Sequence, residues 1–369
     1  PALKTNFAKQ ILWFFISFIF MVITIIIPLK NYRDIAYIVY AISIVLLIIP
    51  LFLGKVAEVN RWIALGPFKF QPSEFAKIGI LMALARYLAN ERRNLTNLKE
   101  IAFAFGLVLL PFMLVVKQPD LGTALVFISL ILPVLYWAGL PTFYLFAMIS
   151  PFVIMLAAFN FYTFFSAMII VGSILLYFRR GFRVFLVLMT LNISVGIITP
   201  FLWGKLHSYQ QHRILTFLGL ELDPHGAGYQ VIQSKVAIGS GGFLGKGFLE
   251  GTQTQLRFLP AQHTDFVFSV IGEEFGFIGV LFILFLFLLI LRRGIYIASV
   301  ARNKFASLLC IGAVTIITFH VFVTIGMTVG IMPVTGIPLP FVSYGGSSLI
   351  TSMILIGFII STSIRRYKY

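Results

Sequence analysis

Asp265 is the residue of this chain whose type and position point most directly to chemistry. It lies in the stretch LPAQHTDFVFSVIGEEFG, beside Gln262 and His263 and just before a long apolar run. An ionisable side chain at the mouth of a membrane segment is costly, and it marks a functional site by default. We therefore predict that Asp265 is a general base or a metal ligand. The alternative is a helix N-cap, a role for which Asp is preferred, but a cap alone would not need the polar neighbours.

Glu74 and Lys77 form a second candidate pair at the start of another apolar segment, in the stretch QPSEFAK. Their i, i+3 spacing puts both side chains on one face of a helix, where they can form an ion pair. Pro72 suits the first turn of such a helix, and Glu74 complements its positive N-terminus. A structural, self-neutralising pair and a role in substrate binding are equally good interpretations of this pattern.

Two more polar stretches carry charged residues next to turns. In KQPDLGTA, Lys117 and Asp120 flank a proline, although the same pattern is a common way to begin a helix. In GKVAEVNRWIALGPFKFQP, Arg61 and Trp62 lie between glycines and prolines. Both stretches are expected on the side of the membrane where Asp265 lies.

Seven charged residues are expected to meet on that side. They are Arg61, Lys77, Lys117, Asp120, Arg213, Lys246 and Asp265. A group of fixed cations suits a phosphate or pyrophosphate, which Arg binds through two hydrogen bonds and Lys binds as a point charge. We therefore predict that these residues bind a substrate that carries a pyrophosphate.

The remaining patterns do not support a nucleotide or metal motif. The glycine-rich GSGGFLGKG has Ser240 six positions before Lys246, where a P-loop needs glycine, and Gly247 stands where Ser or Thr must follow. We interpret this segment as a flexible loop over a substrate groove. The histidines show no metal-ligand spacing, and a histidine such as His320 in an apolar run is more often packed or hydrogen-bonded than functional.

The elements that must position these residues are membrane helices. Of the 369 residues, 60% are hydrophobic and 11% are charged, and the mean hydropathy is +1.00. The apolar runs approach the length of about 20 residues that a helix needs to cross a bilayer, where backbone polar groups must be satisfied internally. We therefore predict an all-α polytopic membrane protein, a bundle of about 9–11 transmembrane helices. The predicted spans are residues 10–28, 35–53, 73–90, 101–117, 121–138, 142–157, 160–178, 183–201, 266–291, 304–327 and 345–364.

The net charge of +16 follows the membrane topology and does not indicate nucleic-acid binding. Five short segments on one side, together with Arg86 and Lys304 at span ends, carry 16 of the 28 Lys and Arg residues. These segments are residues 29–34, 91–100, 179–183, 292–303 and the tail after 364. By the positive-inside rule that side is cytoplasmic, so the candidate site lies on the extracytoplasmic face.

We treat residues 1–369 as a single membrane domain with irregular segments between its spans. Because the topology puts residue 1 outside and residues 1–9 do not resemble a signal peptide, we expect the native first transmembrane helix to be missing before residue 1. Residues 202–264 are predicted to form a large extracytoplasmic loop, whose GYQVIQSKVAIG segment suggests a short interfacial helix. Residues 142–182 leave room for an extra helical hairpin. TGIPLPFVSYGGSS, residues 335–348, must be buried in protein or line a wet cavity.

Six segments, taken in order, resemble the SEDS proteins (shape, elongation, division and sporulation). They are RWIALGPFKFQPSEFAK, KQPDLGTA, QHRILTFL, GAGYQVIQSKVAIGSGGFLGKGF, GTQTQLRFLPAQHTDFVFSVIGEEFGF and MPVTGIPLPFVSYGGSS. They cover residues 54–124 and 204–369, and GTQTQLRFLPAQHTDF is most similar to the elongation member of the family. The sequence departs from the family pattern at Ala261, where Glu is common, and in the added length of 142–201.

The resemblance implies a peptidoglycan glycosyltransferase that polymerises lipid II in cell elongation and rod-shape maintenance. It implies that Asp265 is the essential acidic residue. It also implies that Arg61 and Trp62 belong to the first outer-loop motif, and that Glu74 and Lys77 are an intramembrane ion pair. We further assign lipid II or pyrophosphate binding to Lys117, Asp120, Arg213, Lys246, Gln262, His263 and Ser343. The implied partners are undecaprenyl-linked glycan, a class B penicillin-binding protein and other membrane proteins of the elongation complex, in the bacterial cytoplasmic membrane.

The expected chemistry is an inverting transfer that forms a β-1,4 linkage, with Asp265 as the base. No cofactor is assigned, but a divalent cation at Asp265, Mg²⁺ or Mn²⁺, is left open. The alternative function is a lipid II flippase, because a transporter also needs intramembrane charges and a cationic headgroup site. A flippase would be expected to carry polar groups deep along several helices. In this sequence the polar groups gather toward the extracytoplasmic side of the membrane, which favours the enzyme.

Overall fold

The structure is a computed structural model, and it describes residues 6–52, 61–65, 68–205, 211, 227–256, 258–259 and 261–365. In these residues the secondary structure is helical apart from one antiparallel hairpin of two short strands, β1 (Ile63–Leu65) and β2 (Phe68–Phe70). The helices are α1 (Asn6–Ile26), α2 (Leu29–Phe52), α3 (Pro72–Leu88), α4 (Leu98–Lys117), α5 (Leu121–Trp137), α6 (Thr142–Ala157), α7 (Phe161–Tyr177), α8 (Phe182–Trp203), α9 (Ala227–Ser240), α10 (Thr252–Gln255), α11 (Val267–Val300), α12 (Lys304–Thr328) and α13 (Gly346–Ile364).

The chain is a multi-pass membrane protein. Among the described residues, seven helices are long and apolar enough to cross a membrane: α1, α2, α4, α8, α11, α12 and α13. Helices α5, α6 and α7 are apolar but slightly shorter, and α3 carries Glu74, Lys77 and Arg86 within 17 residues. Every predicted span coincides with one of these helices, so the prediction of an all-α polytopic fold is confirmed.

Helix α12 is the most enclosed of the seven candidate spans. Of its most apolar stretch 72% is buried, whereas for α1 the figure is 11%. It packs on α3, α5, α11 and α13. The contact with α3 is close because Gly312 has no side chain; a Cβ there would lie 2.2 Å from Leu81 Cδ1. Side chains on α12 can therefore reach both α3 and the segment that follows α12.

The chain divides into two compact units, one of Pro1–Ala138 with Leu222–Tyr369 and the other of Gly139–Glu221. In the second unit α6, α7 and α8 pack on one another, and Asn192 of α8 donates a hydrogen bond to Ser150 Oγ of α6 at 3.2 Å. Its core consists of Phe143, Ile154, Met168, Val171 and Leu175. Three helices thus occupy the stretch after residue 141. That α6 and α7 are an extra hairpin, and that the whole chain is one membrane domain, stay predictions.

The large loop predicted over residues 202–264 is described only in part, and it is not confirmed. Helix α9 bears out the short helix predicted in GYQVIQSKVAIG. One side of this helix is buried against the bundle. Ser234 Oγ donates to the Thr328 carbonyl of α12 at 2.6 Å and lies 2.6 Å from Ser269 Oγ of α11. In its described part this region contains the helices α9 and α10, and α9 packs on α11 and α12.

The glycine-rich segment of residues 241–247 is bonded to α11, so the prediction of a flexible loop over a groove is wrong. The amides of Lys246 and Gly247 donate to the carbonyls of Glu273 and Glu274 at 3.0 and 3.1 Å. Helix α11 kinks at Gly276, with φ 64° and ψ −161°, and a Cβ there would lie 2.3 Å from the nitrogen of Gly245. Gly241 and Gly245 allow the two backbones to come this close, because a Cβ at either position would lie 2.0–2.1 Å from a carbonyl oxygen of α11.

Candidate functional site

Asp265 lies in a tight turn, residues 261–266, immediately before α11. The backbone N–H groups of Thr264, Asp265 and Phe266 all point to the carbonyl of Ala261, at 3.1–3.2 Å. The N-cap position of α11 is Phe266, one residue after Asp265. The N-cap alternative for Asp265 is therefore wrong. Asp265 is half-buried.

A second segment holds this turn in place. We call residues 329–345, between α12 and α13, the proline loop. Ser343 is buried, and its Oγ donates to the Thr264 carbonyl at 2.6 Å while it accepts the Leu339 amide at 2.8 Å. The Tyr344 amide donates to the His263 carbonyl at 2.8 Å. Ser343, which we assigned to substrate, thus ties two loops together.

The proline loop also approaches the Asp265 carboxylate. A Cβ added to Gly336, whose φ is 71°, would lie 3.5 Å from Asp265 Oδ2. Only glycine adopts this backbone conformation readily, and its missing side chain leaves the carboxylate space beside the loop. The neighbouring Thr335 carbonyl faces Gly122 of α5, where a Cβ would lie 2.6 Å away. The loop therefore lies between Asp265 and the start of α5.

A buried polar cluster forms at the start of α5. Asp120 is the N-cap of this helix, and it accepts hydrogen bonds from the amide and the hydroxyl of Thr123 at 3.2 and 2.9 Å. Gln71 Nε2 donates to Asp120 Oδ2 at 3.1 Å, and an Arg61 guanidinium nitrogen lies 3.8 Å from Oδ1. Arg61 is held by its guanidinium but stays about one-third exposed, at 35%. It can therefore present its remaining donors to an anionic ligand.

The Glu74–Lys77 pair forms as predicted, and it has a third member. Lys77 Nζ lies 2.6 Å from Glu74 Oε1 and 3.0 Å from Nε2 of His320 on α12. All three side chains are buried, at 4%, 2% and 4% exposure. They line a small cavity of about 10 Å³, together with Pro340 of the proline loop and with Thr351 and Ser352 of α13. The pair therefore lies inside the bundle, below the loops that hold Asp265.

Other predicted site residues have different surroundings. Lys246 Nζ lies 2.9 Å from Glu273 Oε1 and 2.7 Å from Thr252 Oγ1, so it anchors the glycine-rich segment to α11. Lys117 and His263 are exposed. The half-exposed residues are Trp62 and Gln262, whose Nε2 lies 3.4 Å from His263 Nε2. Arg213 lies outside the described residues.

The donor set suits a metal ion only if the substrate supplies most of its ligands. Among the described residues, no group of three or more His, Cys, Asp or Glu side chains is arranged to hold a metal. Mg²⁺ usually keeps several waters and binds one or two carboxylates plus substrate phosphates. Asp265 fits that role for a cation that arrives with a pyrophosphate.

Sequence reasoning did not select Gln71 or Ser347. It expected His320 to be packed or hydrogen-bonded, which the structure confirms, but it did not name the partners Lys77 and Pro338. Gln71 links two elements, since its side chain reaches Asp120 and its amide donates to Ser347 Oγ at 3.3 Å. Its position directly before Pro72, as the N-cap of α3, was the available signal. For His320 the signal was a single ionisable side chain within a long apolar run, which is costly unless it is paired.

Comparison with known proteins gives consistent matches over the whole chain. The family model of FtsW, RodA and SpoVE, described as cell cycle protein, matches residues 2–167 and 150–368. Peptidoglycan glycosyltransferase MrdB of Escherichia coli (strain K12) is 39% identical over 350 residues, which are 94% of this chain and 83% of that protein. Peptidoglycan glycosyltransferase RodA of Treponema pallidum (strain Nichols) is 35% identical over 397 residues, covering 99% of this chain and 91% of that protein.

Solved structures agree with these matches. A chain from a structure described as "Structural coordination of polymerization and crosslinking by a peptidoglycan synthase complex" has a TM-score of 0.74 and 30% identity, covering 99% of this chain and 91% of that one. The rod shape determining protein RodA of Thermus thermophilus has a TM-score of 0.62 and 26% identity, covering 98% and 88%.

Proposed function

Because the chain belongs to the SEDS family of FtsW, RodA and SpoVE proteins, we propose that it is a peptidoglycan glycosyltransferase. It would polymerise lipid II into glycan strands during cell elongation and rod-shape maintenance. The relatives at 39% and 35% identity bear the enzyme's name, over most of both chains. The proposed reaction takes place at the rim of the bundle, on the extracytoplasmic face of the bacterial cytoplasmic membrane.

The observation that carries the mechanism is the setting of the Asp265 carboxylate. It is half-buried, it lies in a turn held by the proline loop, and that loop also touches the start of α5. A general base must be fixed within hydrogen-bond reach of the proton it removes. A cationic side chain, Arg61, lies at the other side of the same loop beside Asp120. Base and cation are thus held at one end of the bundle.

In the proposed reaction, Asp265 accepts the proton from the 4-hydroxyl of the GlcNAc in an incoming lipid II. That oxygen forms a bond to the anomeric carbon of the growing glycan, while the bond from this carbon to undecaprenyl pyrophosphate breaks. Attack from the opposite face converts the α-linkage into a β-1,4 linkage. The pyrophosphate leaves with the bonding electrons, and the proton passes from Asp265 to water.

The leaving pyrophosphate needs charge stabilisation more than it needs protonation. Arg61, Lys117 and Arg213 are our candidates for it. Asp120, which accepts a hydrogen bond from Gln71, forms a 3.8 Å ion pair with the Arg61 guanidinium and leaves Arg61 donors for the leaving group. Gln262, His263 and Trp62 are proposed to contact the sugars. A divalent cation bound by Asp265, Mg²⁺ or Mn²⁺, would offset the charge of the phosphates.

A class B penicillin-binding protein is the proposed partner, which would crosslink the strands made here. The similar chain in a peptidoglycan synthase complex supports this pairing, because polymerisation and crosslinking are coordinated in that complex. Other membrane proteins of the elongation machinery are proposed to join the same assembly.

The decisive experiment is polymerisation of labelled lipid II by the purified protein together with its penicillin-binding partner. Asp265→Asn should lower the rate by about 10²–10⁴-fold, the usual contribution of a general base. Asp34→Asn is the matched control, because Asp34 is exposed on α2, away from the proposed site, and it should polymerise at the wild-type rate. An Asp265→Asn variant that folds, binds its partner and polymerises normally would reject the base. A wild-type complex without polymerase activity would reject the function.

The flippase alternative is favoured by one observation, the charged Glu74–Lys77–His320 group buried inside the bundle. Transporters often place such groups along a path through the membrane. Liposomes that contain the protein and labelled lipid II in one leaflet separate the two activities. A flippase moves the label across the membrane without lengthening glycan, whereas the proposed enzyme lengthens glycan.

A further inference from the structure

His320 is a buried side chain that the proposed mechanism does not use, yet it contacts two elements at once. Its Nε2 lies 3.0 Å from Lys77 Nζ, and its Nδ1 lies 3.1 Å from the Pro338 carbonyl. A carbonyl oxygen only accepts hydrogen bonds, so Nδ1 must carry the hydrogen. In a neutral ring Nε2 is then an acceptor, which suits the Lys77 ammonium. His320 thus connects the buried ion pair to the proline loop.

From Pro338 the proline loop leads directly to the turn of Asp265. The Leu339 amide donates to Ser343 Oγ, and Ser343 Oγ donates to the Thr264 carbonyl. Leu339 and Ser343 are buried, at 1% and 5% exposure, so water does not compete for these bonds. Pro338 and Pro340 restrict the loop backbone on both sides of Leu339, which limits how far a displacement at Pro338 can be absorbed locally.

We propose that His320 is a positioning residue for Asp265, which couples the arrangement of the Glu74–Lys77 pair to the catalytic turn through the proline loop. This inference rests on the proposed function, because it assigns the coupling to that same site. Its consequence is that a change in the hydrogen bonds of Glu74 or Lys77 alters the position of the base through His320 and Pro338.

The kinetic test uses two variants of one residue. His320→Asn keeps a donor near Nδ1 for the Pro338 carbonyl but loses the contact with Lys77. His320→Gln keeps an acceptor near Nε2 for Lys77 but loses the donor to Pro338. Thr315→Val is the matched control, since the Thr315 hydroxyl donates to the carbonyl of Ile311 on its own helix and, among the described residues, contacts neither Lys77 nor the proline loop through a hydrogen bond.

Both His320 variants should lower kcat for lipid II polymerisation about tenfold, because displacing a reacting group by about 1 Å costs up to about a hundredfold. KM should stay within about twofold, since the base acts in the transition state and not in ground-state binding. Thr315→Val should retain the wild-type kcat. If His320→Asn also retained it, the bond to Pro338 alone would suffice, and the coupling would be rejected. A loss confined to KM would reject the positioning role as well.

A second measurement needs no activity. Amide hydrogen exchange of residues 261–266 and 336–344 is compared in four proteins: wild type, His320→Asn, Glu74→Gln with Lys77→Met, and the triple variant. If His320 transmits the coupling, neutralising the pair should raise exchange severalfold, and His320→Asn should do the same. The triple variant should show no further rise, because both changes break one connection. Additive effects, or unchanged exchange after neutralising the pair, would overturn the proposal.

The two arms separate the inference from the function on which it rests. A wild-type complex that makes no glycan rejects the proposed function, while the exchange pattern still decides the coupling. An active wild type with additive exchange effects rejects the coupling alone. If His320→Asn does not fold, the pair-neutralised variant still tests the loop, because it leaves His320 in place.

Discussion

Removal of Lys77 alone should destabilise the protein far more than replacement of both members of the Glu74–Lys77 pair. The two side chains are 4% and 2% exposed, and Nζ lies 2.6 Å from Oε1. At such burial each charge depends on the other, because neither can recover its hydration. The perturbations are Lys77→Met, Glu74→Gln and the double variant, all of which conserve side-chain size.

The contacts of the pair predict unequal single effects. Lys77→Met leaves a buried carboxylate without its ammonium, which costs about 3–5 kcal/mol. Glu74→Gln costs about 1–3 kcal/mol, because the amide oxygen can still accept and His320 still accepts from Nζ at 3.0 Å. The double variant buries no charge at this site, so it should cost no more than about 2 kcal/mol. The two changes should therefore be non-additive by about 2 kcal/mol or more.

The measurement is the free energy of unfolding of the purified protein in mixed micelles, for the wild type and the three variants. The Trp137 indole, which donates to Ser307 Oγ at 2.8 Å, offers a fluorescence signal within the same unit. Equal costs for the two single variants would contradict the role of His320 as a partner of Lys77. Simple additivity in the double variant would contradict the pairing itself.

Three further predictions follow from the loops. Gly276→Ala should lower the free energy of unfolding by about 1–3 kcal/mol, because φ 64° and ψ −161° are accessible essentially to glycine alone. Gly106→Ala is the control: a Cβ there would meet no atom within 4 Å, so the free energy of unfolding should change by less than about 1 kcal/mol. Ser343→Ala should lower kcat about tenfold while the protein stays folded, because the Thr264 carbonyl beside Asp265 loses its hydrogen bond from Ser343. A wild-type kcat in this variant would refute the prediction. Glu273→Ala should cost about 3–5 kcal/mol, because Lys246 Nζ and the Gln253 and Thr254 amides lose the carboxylate that accepts their hydrogen bonds. Limited proteolysis should then cut residues 241–256 faster than in the wild type.

The helices and the pairings within one helix could be predicted from the sequence because both depend on local spacing. Apolar runs of the right length located each membrane helix in the described residues, since a helix satisfies its backbone hydrogen bonds within its own segment. Glu74 and Lys77 pair because a spacing of three residues brings two side chains to the same face of a helix. Asp120 both caps α5 and holds Arg61, so the two interpretations of KQPDLGTA are compatible.

Contacts between segments far apart in the chain could not be predicted, because they depend on which loop meets which helix. Ser343 was predicted to bind substrate, but its hydroxyl donates a hydrogen bond to the carbonyl of Thr264, 79 residues away. Lys246 counted as one more cation for a phosphate, yet its partner is Glu273, 27 residues away. The glycines of residues 241–247 suggested flexibility, whereas they allow backbone contact with the kink of α11.

The same distinction explains why one face of the bundle holds fewer free cations than the sequence suggests. Of the predicted phosphate ligands, Lys77 and Lys246 are committed to Glu74 and Glu273. Arg61 shares Asp120 but is 35% exposed, and Lys117 is exposed. Since an ammonium already bonded to a buried carboxylate gains little from a second anion, phosphate contact should fall to the exposed cations. Charge reversal at Arg61 or Lys117 should therefore weaken lipid II binding more than charge reversal at Lys246, measured in a variant set with equal amounts of folded protein.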